Sequence, residues 1–425
     1  MSHITLRSGY DALVERLNRC PQGAPPDRLL FEILALLFTE REAGLVARLP
    51  IKPFGVETAA RSWKMPPAEA QAVLDALADR AILLDIETRQ GRRYVLPPPM
   101  AGFFEFSMMR VGDDLDRHLL AELFYQYINV EEEFIKALFL RGETQLGRVF
   151  VSEEAIPAEL SLEVLDYERA SEVVRTASCI GVGLCYCRHK MQHLGRACDA
   201  PLDICMTFNN TASSLVRHHV ARQADSAEAL DLLQRAKALG LVQFGENVRQ
   251  RVNFICHCCG CCCEALVAAR RFGFLHPVHT SNYRAVLDLT TCNGCGLCVE
   301  ACPVEALSLV SANDPVRHRA KAARLDEGRC LGCGVCVRAC ARGGIGLEAR
   351  PARVITPLDS THKAVVMAIE RGTLQDLIFD NRALVSHRAM AAVLGAILAL
   401  PPVKRAMASR QVKSRYLEAI IAKAG

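Results

Sequence analysis

The sequence predicts an α+β fold class: a mainly helical, multidomain chain whose few short strands gather around a cysteine-rich middle. Three observations carry this expectation. The chain has 425 residues, more than one ordinary hydrophobic core takes up, so several domains are expected. Apolar residues recur at helical spacing through most of residues 1–178 and again from residue 358. All 20 cysteines except Cys20 fall between Cys179 and Cys340, where short apolar runs such as "VNFI" (252–255) lead into cysteine-dense turns.

Taken in chain order, residues 1–27 predict an amphipathic helix and a proline-rich linker, "CPQGAPPD". Residues 28–97 begin with one strongly apolar helix, "RLLFEILALLFTEREAGLVARL". A short helix, a turn at Lys64-Met65-Pro66, a second helix opening on Pro67 and two strands around Gly91 follow. Proline suits the first helical turn, and Ala72, Val73, Leu74 and Leu77 give that helix an apolar stripe. This order of helix, turn, helix and wing resembles a winged-helix domain. Residues 98–178 form a helical segment, clearest in "DRHLLAELFYQYINVEEEFIKALF". Residues 179–284 form a Cys-rich domain. Within it "DSAEALDLLQRAKALGL" predicts a helix with a capping box of Asp225 and Glu228 and a closing Gly240. Residues 285–350 form a compact cysteine-rich module. Residues 351–425 are a C-terminal helical region, in which "AMAAVLGAILALPPV" reads as a buried helix rather than a membrane span.

Composition narrows the class. The chain is 51% hydrophobic and 23% charged, as a globular protein is, and its net charge of +4 is too mild to argue for nucleic acid. The opening residues carry charges where a secretory signal needs an apolar run. Clustered cysteines in a long chain without such a signal point to metal rather than to disulfides. The expected location is cytoplasmic, in the reducing interior of an anaerobe or facultative organism.

"CNGCGLCVEACP" (292–303) and "CLGCGVCVRACA" (330–341) share one spacing, C-x2-C-x2-C-x3-C. Three cysteines with two-residue spacers wrap three corners of an iron–sulfur cube. Gly294, Gly296, Gly332 and Gly334 let the backbone come close and turn its amides to the sulfurs. The stretch resembles the bacterial two-cluster ferredoxins. That resemblance implies two [4Fe–4S] clusters with exchanged fourth ligands: Cys292, Cys295, Cys298 and Cys340 for one, and Cys330, Cys333, Cys336 and Cys302 for the other. Pro303 follows the fourth cysteine as in that family, whereas Ala341 departs from it. The expected fold is two βαβ-like halves, with the fourth cysteine opening a helix and "VEALSLV" continuing as one.

Upstream, Cys185, Cys187, Cys198 and Cys205 form a C-x-C-x10-C-x6-C set beside Arg188, His189 and Lys190, cations that favour thiolate. Further on, "ICHCCGCCC" packs Cys256, Cys258, Cys259, Cys261, Cys262 and Cys263 into eight residues. Segments of the form C-x-C-R, C-D-A-P and H-C-C-G-C-C-C resemble multidomain iron–sulfur proteins of anaerobes, a likeness that implies no mechanism. Three readings stand: a third iron–sulfur centre, a zinc site, or thiols kept for packing or reactivity. The six-cysteine stretch is expected on a strand-to-helix turn bent at Gly260. Neighbours in extended backbone face opposite ways, so Cys258 with Cys259, or Cys262 with Cys263, should not serve one centre. The loop is thus expected to divide its ligands between sites. His257, His276 and His279 are alternative ligands, and Cys179 reads as a buried core residue.

No dinucleotide, P-loop, nucleophile-elbow or zinc-protease motif is present. The expected function is electron transfer to or from a redox protein partner, as a relay or oxidoreductase component rather than a self-contained enzyme. The alternatives are a redox-sensing transcription regulator acting through the winged-helix segment, and a ferredoxin module on a zinc-stabilised scaffold. Against the regulator, the second helix carries Glu69, Asp75 and Asp79 with one Arg80, leaving Arg89, Arg92 and Arg93 of the wing to meet phosphate. The basic tail from Lys404 could meet an acidic partner or a membrane surface.

Overall fold

The computed structural model describes residues 8–112, 114–139, 141–156, 165–272, 280–313, 321–351, 354, 356–381 and 384–399. The chain divides into two compact units. One comprises Met1–Thr144, Ser214–Val220 and Ser360–Gly425; the other comprises Gln145–Ser213 and Ala221–Asp359. Helices and sheets are mixed, as an α+β chain requires.

In the first unit, helix Gly9–Arg19 starts from a reciprocal cap between Ser8 and Asp11. The single apolar helix expected from residue 28 is in fact two, Arg28–Leu37 and Glu40–Val46. Thr39 and Glu42 form a capping box that starts the second, so the chain breaks at Phe38–Thr39 despite unbroken apolar periodicity. Helix Val56–Trp63 ends on Lys64 in the left-handed conformation, and Pro67–Asp79 follows with proline at its first position. Strands β1 (Leu84–Thr88) and β2 (Gly91–Val95) pair antiparallel. Leu30, Ile33, Leu34, Trp63, Leu74, Leu77 and Tyr94 are buried in this unit.

Asp85 on β1 is also buried. It accepts hydrogen bonds from Ser214 (2.7 Å) and Arg217 (2.5 Å), and His218 Nε2 stands 3.2 Å away. Arg92 on β2 pairs with Glu87, Asp75 and Asp85. After residue 98 the chain forms helices Phe104–Met109, Arg117–Phe124 and Glu132–Phe139, with a π-helical stretch at Tyr125–Val130. Helix Val385–Ala399, expected to be buried, exposes Met390, Val393 and Ile397 by about half. The basic tail and the rest of the "ALPPV" stretch lie outside the described residues. Among the described residues no helix is long and apolar enough to cross a membrane.

The second unit is built on a six-stranded sheet. Its strands are β3 (Gly147–Val149), β4 (Ile180–Gly183), β5 (Cys205–Phe208), β6 (Ala221–Ala224), β7 (Val242–Glu246) and β8 (Phe254–Cys258), in the spatial order β3-β7-β8-β5-β4-β6 with antiparallel neighbours. Ile180, Val182, Met206, Phe208 and Ile255 meet Val173, Val174, Leu232 and Leu233 in its core. Helix Ser226–Ala238 is capped by Asp225 alone, because the Glu228 carboxylate pairs with Arg222 instead.

The cysteine-rich module adds β9 (Tyr283–Leu287), β10 (Leu307–Ser311), β11 (Lys321–Leu325) and β12 (Ile345–Ala349). Each half runs strand, helix, strand, but the strands pair across the halves, β9 with β12 and β10 with β11, both antiparallel. Cys302 and Cys340 close the helices Leu297–Ala301 and Val335–Ala339 rather than opening new ones. "VEALSLV" is a turn leading into β10. Pro303 cannot continue the helix, and pairing with β11 overrides the helix-favouring Glu, Ala and Leu.

Candidate metal centres

Cys302, Cys330, Cys333 and Cys336 line one cavity, closed by Leu307, Leu331 and Leu347. Three of these cysteines come from the loop before and the start of helix Val335–Ala339; Cys302 arrives from the other half. The Ala306 amide donates to Cys302 Sγ over 3.2 Å. The amides of Val304 and Leu307 also point at that sulfur. Gly332 has φ +67° and lies so close that a β-carbon would strike the Tyr283 carbonyl oxygen. The second quartet is more open: Cys298 is buried, Cys292 and Cys340 are half-buried and Cys295 is exposed. Cys298 has Cys292, Cys295 and Cys340 as its neighbouring thiols. Gly294 has φ +74° and its backbone meets the Lys321 carbonyl.

Four thiols, inward amides and apolar walls fit an anionic iron–sulfur cube. Burial pushes the Cys333 thiol up to about 12, and Cys302, Cys298 and Cys336 are likewise raised by burial. Such thiols give up their protons to a metal far more readily than to water, so loading the site releases protons.

The ten upstream cysteines fall into two groups. Cys198 stands in the loop before β5, and Cys259, Cys261 and Cys262 in the turn after β8. Their four sulfurs all lie within 4.8 Å of one another. Cys198 is 3.6 Å from Cys259 and 3.9 Å from Cys262, and Cys261 is 3.6 Å from Cys262. The other six form a string. Cys185 has Cys187 and Cys205 as neighbours, Cys205 neighbours Cys256, Cys187 neighbours Cys263, and Cys263 neighbours Cys258. Cys185, Cys205, Cys258 and Cys263 are buried; Cys187 and Cys256 are half-buried. Cys258 and Cys259 therefore fall in different groups, as do Cys262 and Cys263.

Arg188 runs between the groups. It donates to the carbonyls of Pro201 (2.9 Å) and His257 (3.0 Å), and its guanidinium stands 3.8 Å from Cys259 Sγ. The Cys259 thiol is held down at about 4, first by its contact with Cys262, whereas burial pushes Cys261 up to about 11. Lys190, expected beside the thiolates, instead forms a fully buried pair with Glu264, a partner that no spacing rule announces.

His257 points away from Cys256 and Cys258, opposite Gln243 on β7, and lies outside the tight quartet. Burial, aided by the nearby Arg188 charge, drives it down to about 3, so it is neutral. His276 and His279 lie outside the described residues. Cys179 is half-buried at the entry to β4 rather than in the core. Gly260 lies in the expected turn between β8 and helix Glu264–Phe272, without a left-handed backbone. It makes a close contact instead: a β-carbon there would lie 2.5 Å from the Pro303 carbonyl oxygen.

Neither a curated protein nor a solved structure matches the chain. The family model of the 4Fe-4S dicluster domain matches residues 291–343, which take in both glycine-rich cysteine loops together with Cys302 and Cys340. The chain thus carries an iron–sulfur domain of ferredoxin type in its second half.

Proposed function

We propose that this protein is an iron–sulfur electron carrier with two [4Fe–4S] clusters in residues 285–350 and at least one further cysteine-bound centre in residues 179–284. Electrons pass between this set and a redox protein partner in the cytoplasm. Iron–sulfur clusters supply one-electron chemistry. The chain's part is to hold them close together, shield them and tune them with amides and charge.

The observation that carries this reading is the contact of Gly260 with Pro303. It joins the six-cysteine turn to the residue after Cys302. A centre held by that turn would stand next to the cavity of Cys302, Cys330, Cys333 and Cys336, a short step for an electron. The regulator reading has less support, because Arg92 of the hairpin is taken up by Glu87, Asp75 and Asp85 rather than left for phosphate.

The test is electron paramagnetic resonance of anaerobically purified protein after dithionite reduction. Two interacting ferredoxin-type signals are expected, and Cys292→Ser should abolish one of them. If both survived that substitution unchanged, the ligand assignment would be wrong.

A further inference from the structure

The two upstream groups differ in geometry, and the difference points to different metals. Thiolates bound to one ion through metal–sulfur bonds of about 2.3 Å stand about 3.8 Å apart at tetrahedral angles. The contacts among Cys198, Cys259, Cys261 and Cys262 measure 3.6, 3.9 and 3.6 Å. A cube spreads its thiolates, because each binds a different iron. The ferredoxin-type quartets give the comparison within the same chain. Among the described residues their sulfurs do not gather within 4.8 Å, and this upstream quartet does. The six-thiol string is different again. Its sulfurs neighbour one another, with Cys205 facing Cys256 across the β5–β8 register, yet no three gather within 4.8 Å. Six ligands so arranged exceed what one tetrahedral ion accepts.

We infer that Cys198, Cys259, Cys261 and Cys262 form a site for one tetrahedral divalent ion, iron or zinc. The string from Cys256 through Cys205, Cys185, Cys187 and Cys263 to Cys258 is a separate pocket for a polynuclear iron–sulfur centre. The division goes beyond the proposed electron-carrier role, resting on it only for iron in the six-thiol pocket. Its physical basis is local. Strand alternation at the end of β8 sends Cys256 and Cys258 to one side, and the turn that packs on Pro303 presents Cys259, Cys261 and Cys262 to Cys198. An iron ion there would add a one-electron site beside the ferredoxin module. A zinc ion would instead clamp the turn against it.

The test counts iron and zinc in the full-length protein purified anaerobically from medium containing both. Variants are Cys261→Ser, at an exposed position, Cys198→Ser, and Cys205→Ser in the other group. Cys261→Ser and Cys198→Ser should each lose about one metal equivalent, as a single-ion site requires. Loss of iron or of zinc identifies the ion. Cys205→Ser should keep that ion and lose several irons. Loss of about four irons from Cys261→Ser would mean that the quartet serves a cube and would overturn the inference. So would no loss of metal from either quartet variant, or loss of the same single ion from Cys205→Ser. Resonance signals from the ferredoxin module, recorded on the same samples, report separately on the electron-carrier reading.

Discussion

Gly260 lies against Pro303 so closely that a β-carbon on the glycine would stand 2.5 Å from the proline carbonyl oxygen and 2.9 Å from its α-carbon. Backbone meets backbone here, so no flexible side chain can yield. Gly260→Ala is expected to cost about 1–3 kcal/mol through overpacking. It should also slow electron exchange between the ferredoxin module and the upstream centre while leaving the module's own signals intact. Thermal unfolding and rapid-mixing reduction measure both. A variant as stable and as fast as the parent would mean that the contact is unimportant.

Lys190 and Glu264 form a buried ion pair, at 0% and 2% side-chain exposure. Removing one partner breaks a buried charge pair, so Lys190→Met should destabilise by about 3–5 kcal/mol. The double variant Lys190→Met with Glu264→Leu should recover much of that loss, because an apolar pair of similar size is tolerated. Denaturant midpoints of the two variants test this. A double variant no better than the single one would place the cost elsewhere.

Arg188 satisfies two carbonyls and sets its charge beside Cys259. Arg188→Ala should lose about 1–3 kcal/mol for each acceptor left unsatisfied, together with weaker retention of upstream metal. Arg188→Lys should restore the charge but not the fork that reaches both carbonyls, so metal retention should recover more than stability does. Chelator competition read beside a melt separates the two effects.

Around Asp85 the pH dependence has two arms. The close contact with Asp85, 3.2 Å from His218 Nε2, is the largest influence raising the pKa of His218, with Asp79 adding to it. That contribution is complete below the ordinary histidine value of about 6.5 and fades as pH rises through the raised one. Burial works to raise Asp85, but the nearby His218 and hydrogen bonds from Ser214 and Arg217 outweigh it and hold the carboxyl well below its usual range. That contribution is present above the ordinary carboxylate value of about 3.9 and is lost as pH falls toward the depressed one. His218→Gln should remove the alkaline arm and keep most of the acid one, and Asp85→Asn should remove the acid arm and most of the alkaline one, the contact of His218 with Asp79 keeping the remainder. Unfolding midpoints between pH 3 and 9 (about the range these groups span) decide the matter.

The ferredoxin loops were legible in the sequence because their ligands are spaced locally and glycines accompany them. Splitting Cys258 from Cys259 was legible for the same reason, since strand alternation is a short-range rule. What joins Cys198 to the turn after β8, or Cys205 to Cys256, is the pairing of β5 with β8, and no local pattern states a register between distant strands. The strand at "VEALSLV" was hidden by residues that favour helix until β11 supplied a partner. The break at Thr39 was written in its capping box and masked by the apolar run around it. The Lys190–Glu264 pair bridges positions far apart in the chain and left no trace in either neighbourhood.

The central claim is that iron–sulfur centres occupy both the ferredoxin module and the cysteine-rich sheet domain before it. Iron quantification on anaerobically purified, full-length protein tests it most directly. The expected result is clearly more than the about eight irons that two four-cysteine cubes account for, with several of the excess irons lost in Cys205→Ser. A content of about eight irons or fewer, unchanged by that substitution, would contradict it.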